Sequence, residues 1–393
     1  MGSILAEATN PHLLDTEHGM NKNIFITGGS GFLGRYLIQT LLRDSNNTLY
    51  LLARSQTTAE NLIDEFAWAD ISRIQVVHGD ITLPHLGLKR DTARRLATKV
   101  DEVWHTAAVT QFDDSYKKLL EATNVHGTKN VLDLSTFFKK MTNFYYVSTA
   151  YVCGSSRGSV PEGPLPKNTK FNNVYEKSKY DTEGLVRKSD LPFTIIRPSI
   201  FVGESHTGDA RGERSRMIYG YLLAIYHSML RLFANEKEFW KSWEKRGASD
   251  PLDVDLRLYG SPSATKNLVT IDDVVNVCLA IRGAHDKVGK TFNVVNAHSM
   301  TLGSMLESLQ NLMKVKGITF EPGLSIADIR VKKSPAEAFA YKMTKQLRPY
   351  VIAPEPRWIT ENVDKLGVER IRMTSELFDS LIRKYMYTHL LVH

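Results

Sequence analysis

Cysteine is scarce in this chain. There are two in 393 residues, Cys153 and Cys278, far apart and without CxxC spacing. That excludes a disulfide framework and a cysteine-based zinc site, and it suits a reduced, cytoplasmic setting. Long apolar runs are missing as well. The most membrane-like segment, residues 217–233, is interrupted by His227 and Arg231. It falls short of the roughly twenty apolar residues a spanning helix needs, so an amphipathic helix packed on protein is expected there. Residues 1–21 mix charges, His12, His18 and a proline with brief apolar runs, so a linker arm rather than a secretory signal is expected. The chain has no block of like charge, no basic helix interleaved with aromatics, no internal repeat and no low-complexity tract. Its 50 Lys and Arg are dispersed among 43 Asp and Glu, so the net charge of +7 describes a mildly basic solvated surface and not a nucleic-acid tract.

What the chain does have is apolar material for a full core, with 42% hydrophobic and 24% charged residues, enough for one large domain or two interleaved ones. The organising stretch is residues 23–34, Asn-Ile-Phe-Ile-Thr-Gly-Gly-Ser-Gly-Phe-Leu-Gly. A short apolar run leads through spaced glycines into an amphipathic run (Tyr36, Leu37, Leu41, Leu42), which reads as strand, tight turn and helix. Thr27 to Gly34 fits TGxxGxxG, with Phe32 and Leu33 inside it, and Gly29, Gly31 and Gly34 fit GxGxxG. Glycines at such a junction let the backbone approach a pyrophosphate, which the N-terminal N–H groups and positive dipole end of the helix then face.

Strands are expected at residues 49–54, 74–78, 102–105, 144–148, 193–197 and 291–296. Helices are expected at 59–68, 116–138, 175–188 and 274–281, with further helical patterns at 302–313 and 375–385. Strands alternating with helices predict an α/β fold, a doubly wound parallel (Rossmann) sheet with a smaller, discontinuous C-terminal cap. The expected organisation is a linker arm at 1–21, a nucleotide-binding core at 22–202, a substrate cap or lid at 203–265, a return to the core at 266–300 and a substrate-binding subdomain at 301–393.

About twenty residues past the glycine turn, such a unit places either an acid on the adenosine ribose or an arginine that accommodates a 2′-phosphate. Here that position is Arg54, with no acid before Glu60. The expected cofactor is therefore NADPH. Arg35 is a candidate second cation, its alternative being a solvated helix residue. Asp80 and Ile81, after the third strand, stand where an adenine edge would lie, although Asp80 could equally be an ordinary turn acid. The second constellation is Ser148-Thr149 at a strand end with Tyr175 and Lys179. Tyrosine and lysine four apart share one helix face, and an ammonium beside a phenol favours phenolate. A strand-end hydroxyl could hold a carbonyl oxygen while the tyrosine protonates it. Tyr341 and Lys345 repeat the spacing outside the core and read as a surface pair.

Together with Arg197-Pro198, these motifs resemble the extended short-chain dehydrogenase/reductase superfamily over roughly residues 22 to 300. Within it the chain is similar to the thioester reductase branch: terminal reductase domains of nonribosomal peptide synthetases and carboxylic acid reductases, and the related fatty acyl-CoA reductases. The matching segments are Gly31-Phe32-Leu33-Gly34 and those at residues 103–108, 124–128, 147–152 and 267–274. The resemblance implies an acyl group carried as a phosphopantetheine thioester, on a carrier protein or coenzyme A. NADPH would reduce it to an aldehyde, and in some members on to an alcohol. It assigns Thr149 to orient the carbonyl, Tyr175 to donate a proton, and Lys179 to tune Tyr175 and hold the nicotinamide ribose. Ala107 and Ala108 would line the cofactor channel, and His105 would be a packing residue. An excised or freestanding reductase domain, monomeric within a larger assembly, is the expected setting. The alternatives are an extended reductase acting on a nucleotide sugar or a hydroxysteroid, and a non-catalytic NADP(H) sensor.

Overall fold

A computed structural model describes residues 21–43, 46–210, 217–233, 236–244 and 250–389. The expected arm therefore lies, but for Asn21, outside the described residues. Seven strands form one parallel sheet: β1 (Asn23–Thr27), β2 (Thr48–Ala53), β3 (Ile74–His78), β4 (Glu102–His105), β5 (Asn143–Val147), β6 (Phe193–Pro198) and β7 (Thr291–Val294), in the order β7-β6-β5-β4-β1-β2-β3. The strands read as continuous apolar runs because both faces are covered. Ile24 and Ile26 point into one hydrophobic cluster and Phe25 into the other, as the two-residue period of a strand requires. Trp104 and Tyr145, paired across β4 and β5, stack with ring centroids 4.1 Å apart.

The connecting helices that matter to the site are α1 (Phe32–Arg43), α2 (Gln56–Glu65), α3 (Arg90–Lys99), α4 and α5 (Val174–Lys188). Helix α4 comprises Lys117–Leu120, a π-helical turn at Glu121–His126, and Gly127–Ser135. Strand order reverses at β1, which lies between β2 and β4, so a crevice opens beyond the carboxyl ends of β1 and β4.

The chain beyond β6 is sewn onto this sheet and shares its core. Ile200–Val202 pairs with Leu268–Thr270, Ser159–Val160 with Arg357–Trp358, and Leu252–Tyr259 with Val315–Glu321, all parallel. Buried Asp273 receives Arg370 Nη2 at 2.8 Å, tying the tail to helix Ile271–Gly283. One hydrophobic cluster runs from Ile24 through Tyr219 and Leu306 to Met386. The helix expected to be amphipathic, Met217–Leu230, is instead buried on nearly every side, with His227 its exposed residue among those described. It lies between helix Pro335–Met343 and the C-terminal helix, where Tyr219 stacks on Tyr385 at 4.2 Å.

Candidate active site

The glycine turn is dictated by space. Gly28 has φ +77°, and a Cβ there would stand 2.5 Å from the backbone nitrogen of Ala107, because β1 and β4 end side by side. Gly31 N–H closes the turn on the Gly28 carbonyl at 2.9 Å, and a Cβ on Gly34 would stand 2.2 Å from that same oxygen. Helix α1 thus begins hard against the turn, with no acidic residue in its first turn to compete for its free N–H groups. Thr27, Gly28, Gly31, Phe32, Leu33 and Gly34 line the crevice.

Opposite them run Ala107 and Ala108, which also line it. Their loop is held from below. Asn124, in the π-helical turn of α4, accepts from Val109 N at 2.8 Å and donates to Val109 O at 3.0 Å. His105 bridges Thr27 Oγ1 (2.6 Å) and Thr128 Oγ1 (2.8 Å). Burial, aided by the nearby Lys179 charge, pushes its imidazole down to about 3, so it is a neutral tether.

At the far end of the crevice, Arg54 extends β2 into solvent, and among the described residues it has no hydrogen bond or ion pair. Asp80 lines the same end while its Oδ1 accepts from Thr82 N at 2.8 Å, so it is a turn acid with one oxygen outside that turn. Ile81 is buried beside it, its carbonyl held by Asn130 Nδ2 at 2.8 Å. Arg35, the candidate second cation, is placed by an ion pair on the flank of α1. Its Nε lies 3.3 Å from Glu65 on α2, and Arg35 is absent from the crevice lining.

At the other end, α5 carries Tyr175, Lys179 and Glu183 one turn apart, so they share a face. Lys179 is buried, donates to the Val147 carbonyl at 2.8 Å, and lies 4.9 Å over the Tyr146 ring. Burial pushes its ammonium down to about 7, with the Glu183 charge opposing the shift. Burial would raise the Glu183 carboxyl, but Arg197 grips it with two hydrogen bonds, at 2.7 and 2.6 Å, and holds it below the ordinary carboxylate range. Val147 leads directly into Ser148 and Thr149. Thr149 is buried, and its Oγ1 caps the following turn by accepting from Tyr151 N at 3.3 Å. Ser148, Thr149, Tyr175 and Lys179 all line the crevice that holds the glycine turn.

This crevice has the features of a dinucleotide site: a cradle that a Cβ would fill, an acid-free helix N-terminus, a cation at one end and a phenol with an amine at the other. Tyr175, Lys179 and the strand-end hydroxyl of Thr149 thus face one space, a phenol, an amine and a hydroxyl grouped at one end of the crevice. Tyr341 and Lys345 lie outside it, with the Arg348 guanidinium 3.6 Å from the Tyr341 ring centroid.

Several contributors escaped sequence reasoning. Phe112 and Tyr350 face each other at 5.9 Å beside Tyr175, and Tyr350 donates to Glu176, the residue after Tyr175. Tyr350 arrives from a 3₁₀ turn far along the chain (Lys345–Tyr350) with no motif around it. Asn124 had a signal, its place in a matching segment, but its clamp depends on a π-helical turn that spacing does not reveal.

A family model described as "Male sterility protein" matches residues 26–257. Among curated proteins, the chain is similar to "Fatty acyl-CoA reductase wat" of Drosophila melanogaster, 27% identical over 262 residues, covering 56% of this chain and 50% of that one. It is also similar to a linear gramicidin synthase of Brevibacillus parabrevis, 32% identical over 303 residues, 73% of this chain and 5% of that one. The chain thus spans about half the length of the Drosophila reductases it matches. Among solved structures, the terminal R domain from the myxalamid PKS-NRPS biosynthetic pathway matches with a TM-score of 0.74 at 21% identity, covering 94% of this chain and 92% of that one. At that identity the likeness carries the fold.

Proposed function

The chain belongs to the Male sterility protein family, within the extended short-chain dehydrogenase/reductases, and on that premise we propose that it is an NADPH-dependent reductase of acyl thioesters that yields an aldehyde. The observation that carries the reading is the convergence of Thr149, Tyr175 and Lys179 on the crevice that contains the glycine turn. The bound nicotinamide would supply hydride. Thr27 to Gly34 would hold the pyrophosphate, Arg54 the 2′-phosphate, and Lys179 the nicotinamide ribose.

Thr149 Oγ1, which accepts from Tyr151 N, would donate its own proton to the thioester carbonyl oxygen and so orient it. As hydride reaches the carbonyl carbon, the Tyr175 O–H protonates the oxygen. Lys179 supports the phenolate that remains. The C–S bond of the hemithioacetal then breaks, its hydroxyl proton returns to the phenolate, and the sulfur leaves as a thiol on taking one proton from water. The balance is one hydride and one proton in, one aldehyde and one thiol out. The likeness to a linear gramicidin synthase and to fatty acyl-CoA reductases supports a phosphopantetheine thioester as substrate, on a carrier protein or coenzyme A. A non-catalytic NADP(H) sensor is disfavoured by the retention of both Tyr175 and Lys179 in one helical turn.

The test is to mix the protein with acyl-pantetheine thioesters and NADPH, following NADPH oxidation by absorbance and products by mass spectrometry. Stoichiometric NADPH loss and aldehyde formation are expected. If no member of a broad acyl panel is reduced while NADPH binds, the reading is overturned.

A further inference from the structure

Tyr175 stands in the first turn of α5, between the two residues that start the helix. Asn173 caps the turn by accepting from Glu176 N at 3.0 Å. The Glu176 side chain folds back and accepts from Asn172 N at 2.7 Å and from Asn172 Nδ2 at 3.2 Å. Amide groups left over at the helix start are thereby satisfied within the segment itself. A residue from far along the chain then adds a bridge across the same turn. The Tyr350 hydroxyl accepts from Asn173 Nδ2 at 2.6 Å and donates to Glu176 Oε1, so it ties together the residues on either side of Tyr175.

The Tyr350 ring makes a second connection. Phe112 lies 5.9 Å from the Tyr350 ring and 5.9 Å from the Tyr175 ring, so it touches both tyrosines. Tyr151, two residues past Thr149, meets the Tyr350 ring edge to face at 5.8 Å. All four rings line the crevice. The segment that follows Tyr350 is anchored on the Thr149 turn: Trp358 Nε1 donates to the Ala150 carbonyl at 3.0 Å, and the Tyr151 hydroxyl donates to Glu355. Tyr350 therefore contacts both elements that carry the reacting groups. Glu176 is buried, and burial pushes its carboxyl up, with the bonds from Tyr350 and Asn172 opposing the shift. An apolar side chain would cover the helix start without burying a charge. What a fully bonded polar cluster adds is a fixed geometry.

We propose that Tyr350 is a positioning residue that holds Tyr175 in place for proton transfer, through its hydroxyl bridge across the α5 turn and through the ring of Phe112. The proposal rests on the thioester-reductase reading. Tyr350→Phe keeps the ring and deletes the bridge. In single-turnover reduction of an acyl-pantetheine thioester its maximal rate should fall about 10-fold, since a misplacement of about 1 Å can cost 100-fold. The half-saturating thioester concentration and the calorimetric NADPH affinity should stay within about 2-fold. Asn173→Ser retains a cap oxygen but removes the other end of the bridge, and should likewise lower the rate with affinity retained. In a Tyr175→Phe background, Tyr350→Phe should change the residual rate by less than about 2-fold, whereas a residue acting independently would lower it about 10-fold again. An unchanged rate in either single variant, a second full loss in the double variant, or lost NADPH binding in Tyr350→Phe would each overturn the assignment, the last by showing that the hydroxyl holds the fold instead. A failure confined to these variants leaves the thioester-reductase reading standing. Absence of reduction by the unmodified protein would overturn both.

Discussion

Replacing Arg54 by Ala is the most direct test of cofactor choice, because the structure isolates what the side chain does. Arg54 is exposed at the end of β2, lines the crevice and pairs with nothing among the described residues, so its removal disturbs no internal contact. On the proposed reading, what it loses is the charge-assisted contact to a 2′-phosphate. Such contacts contribute about 1.5–3 kcal/mol, and solvent exposure favours the lower half of that range. NADPH affinity should therefore fall by roughly 10- to 30-fold, taking about 1.4 kcal/mol per decade. NADH lacks the phosphate, and its affinity should stay within about 2-fold. Calorimetric titration with each cofactor measures both, and repetition at high salt should narrow the gap between variant and parent for NADPH alone. Arg35→Ala serves as the control: Arg35 already faces Glu65 outside the crevice, so both affinities should hold and stability should change by no more than about 0.5 kcal/mol. Equal weakening for both cofactors, or none for either, would refute the 2′-phosphate assignment. A strong effect at Arg35 would shift it to the wrong arginine.

Tyr175→Phe should lower kcat by roughly 10²- to 10⁴-fold with NADPH affinity retained, as measured by single-turnover reduction of an acyl-pantetheine thioester; unchanged turnover removes Tyr175 from proton transfer. Gly28→Ala must hold φ +77° and put a methyl 2.5 Å from Ala107 N. It should destabilise the protein by about 2–4 kcal/mol in urea titration and weaken NADPH binding, and an unshifted midpoint would contradict the packing described. His105 titrates near the usual 6.5 when unfolded and at about 3 when folded. Below pH 6.5 the unfolded chain therefore binds the extra proton, and stability is lost as pH falls. Between pH 6.5 and 5 the loss from this residue is about 2 kcal/mol, at about 1.4 kcal/mol per pH unit. His105→Gln should lack that increment in denaturant titrations at the two pH values, and identical pH slopes for the two proteins would dismiss it.

The doubly wound sheet was legible because each of its units is local. The expected strands at 74–78 and 102–105 coincide with β3 and β4, and the others differ by at most two residues at an end. Helix ends were less legible. The helix expected at 59–68 runs Gln56–Glu65, because the Ser55 hydroxyl caps it by accepting from Thr58 N at 3.1 Å, and caps compete with apolar periodicity in setting a boundary. The cap was the least legible part. Helix Met217–Leu230 looks one-sided by its polar residues and is enclosed only because helix Pro335–Met343 and the C-terminal helix close over it.

By itself the sequence determined the strand-turn-helix at Asn23 to Gly34, the four-residue spacing of Tyr175 and Lys179 and the arginine after the second strand, each a consequence of chemistry between near neighbours in the chain. Tertiary structure alone decided that Arg35 faces Glu65 while Arg54 has no partner among the described residues, that His105 is a buried neutral tether, and that Tyr350 stands beside Tyr175. Charge pairing and burial depend on residues brought together from distant parts of the chain. In Tyr350 and Glu176 those partners stand 174 positions apart.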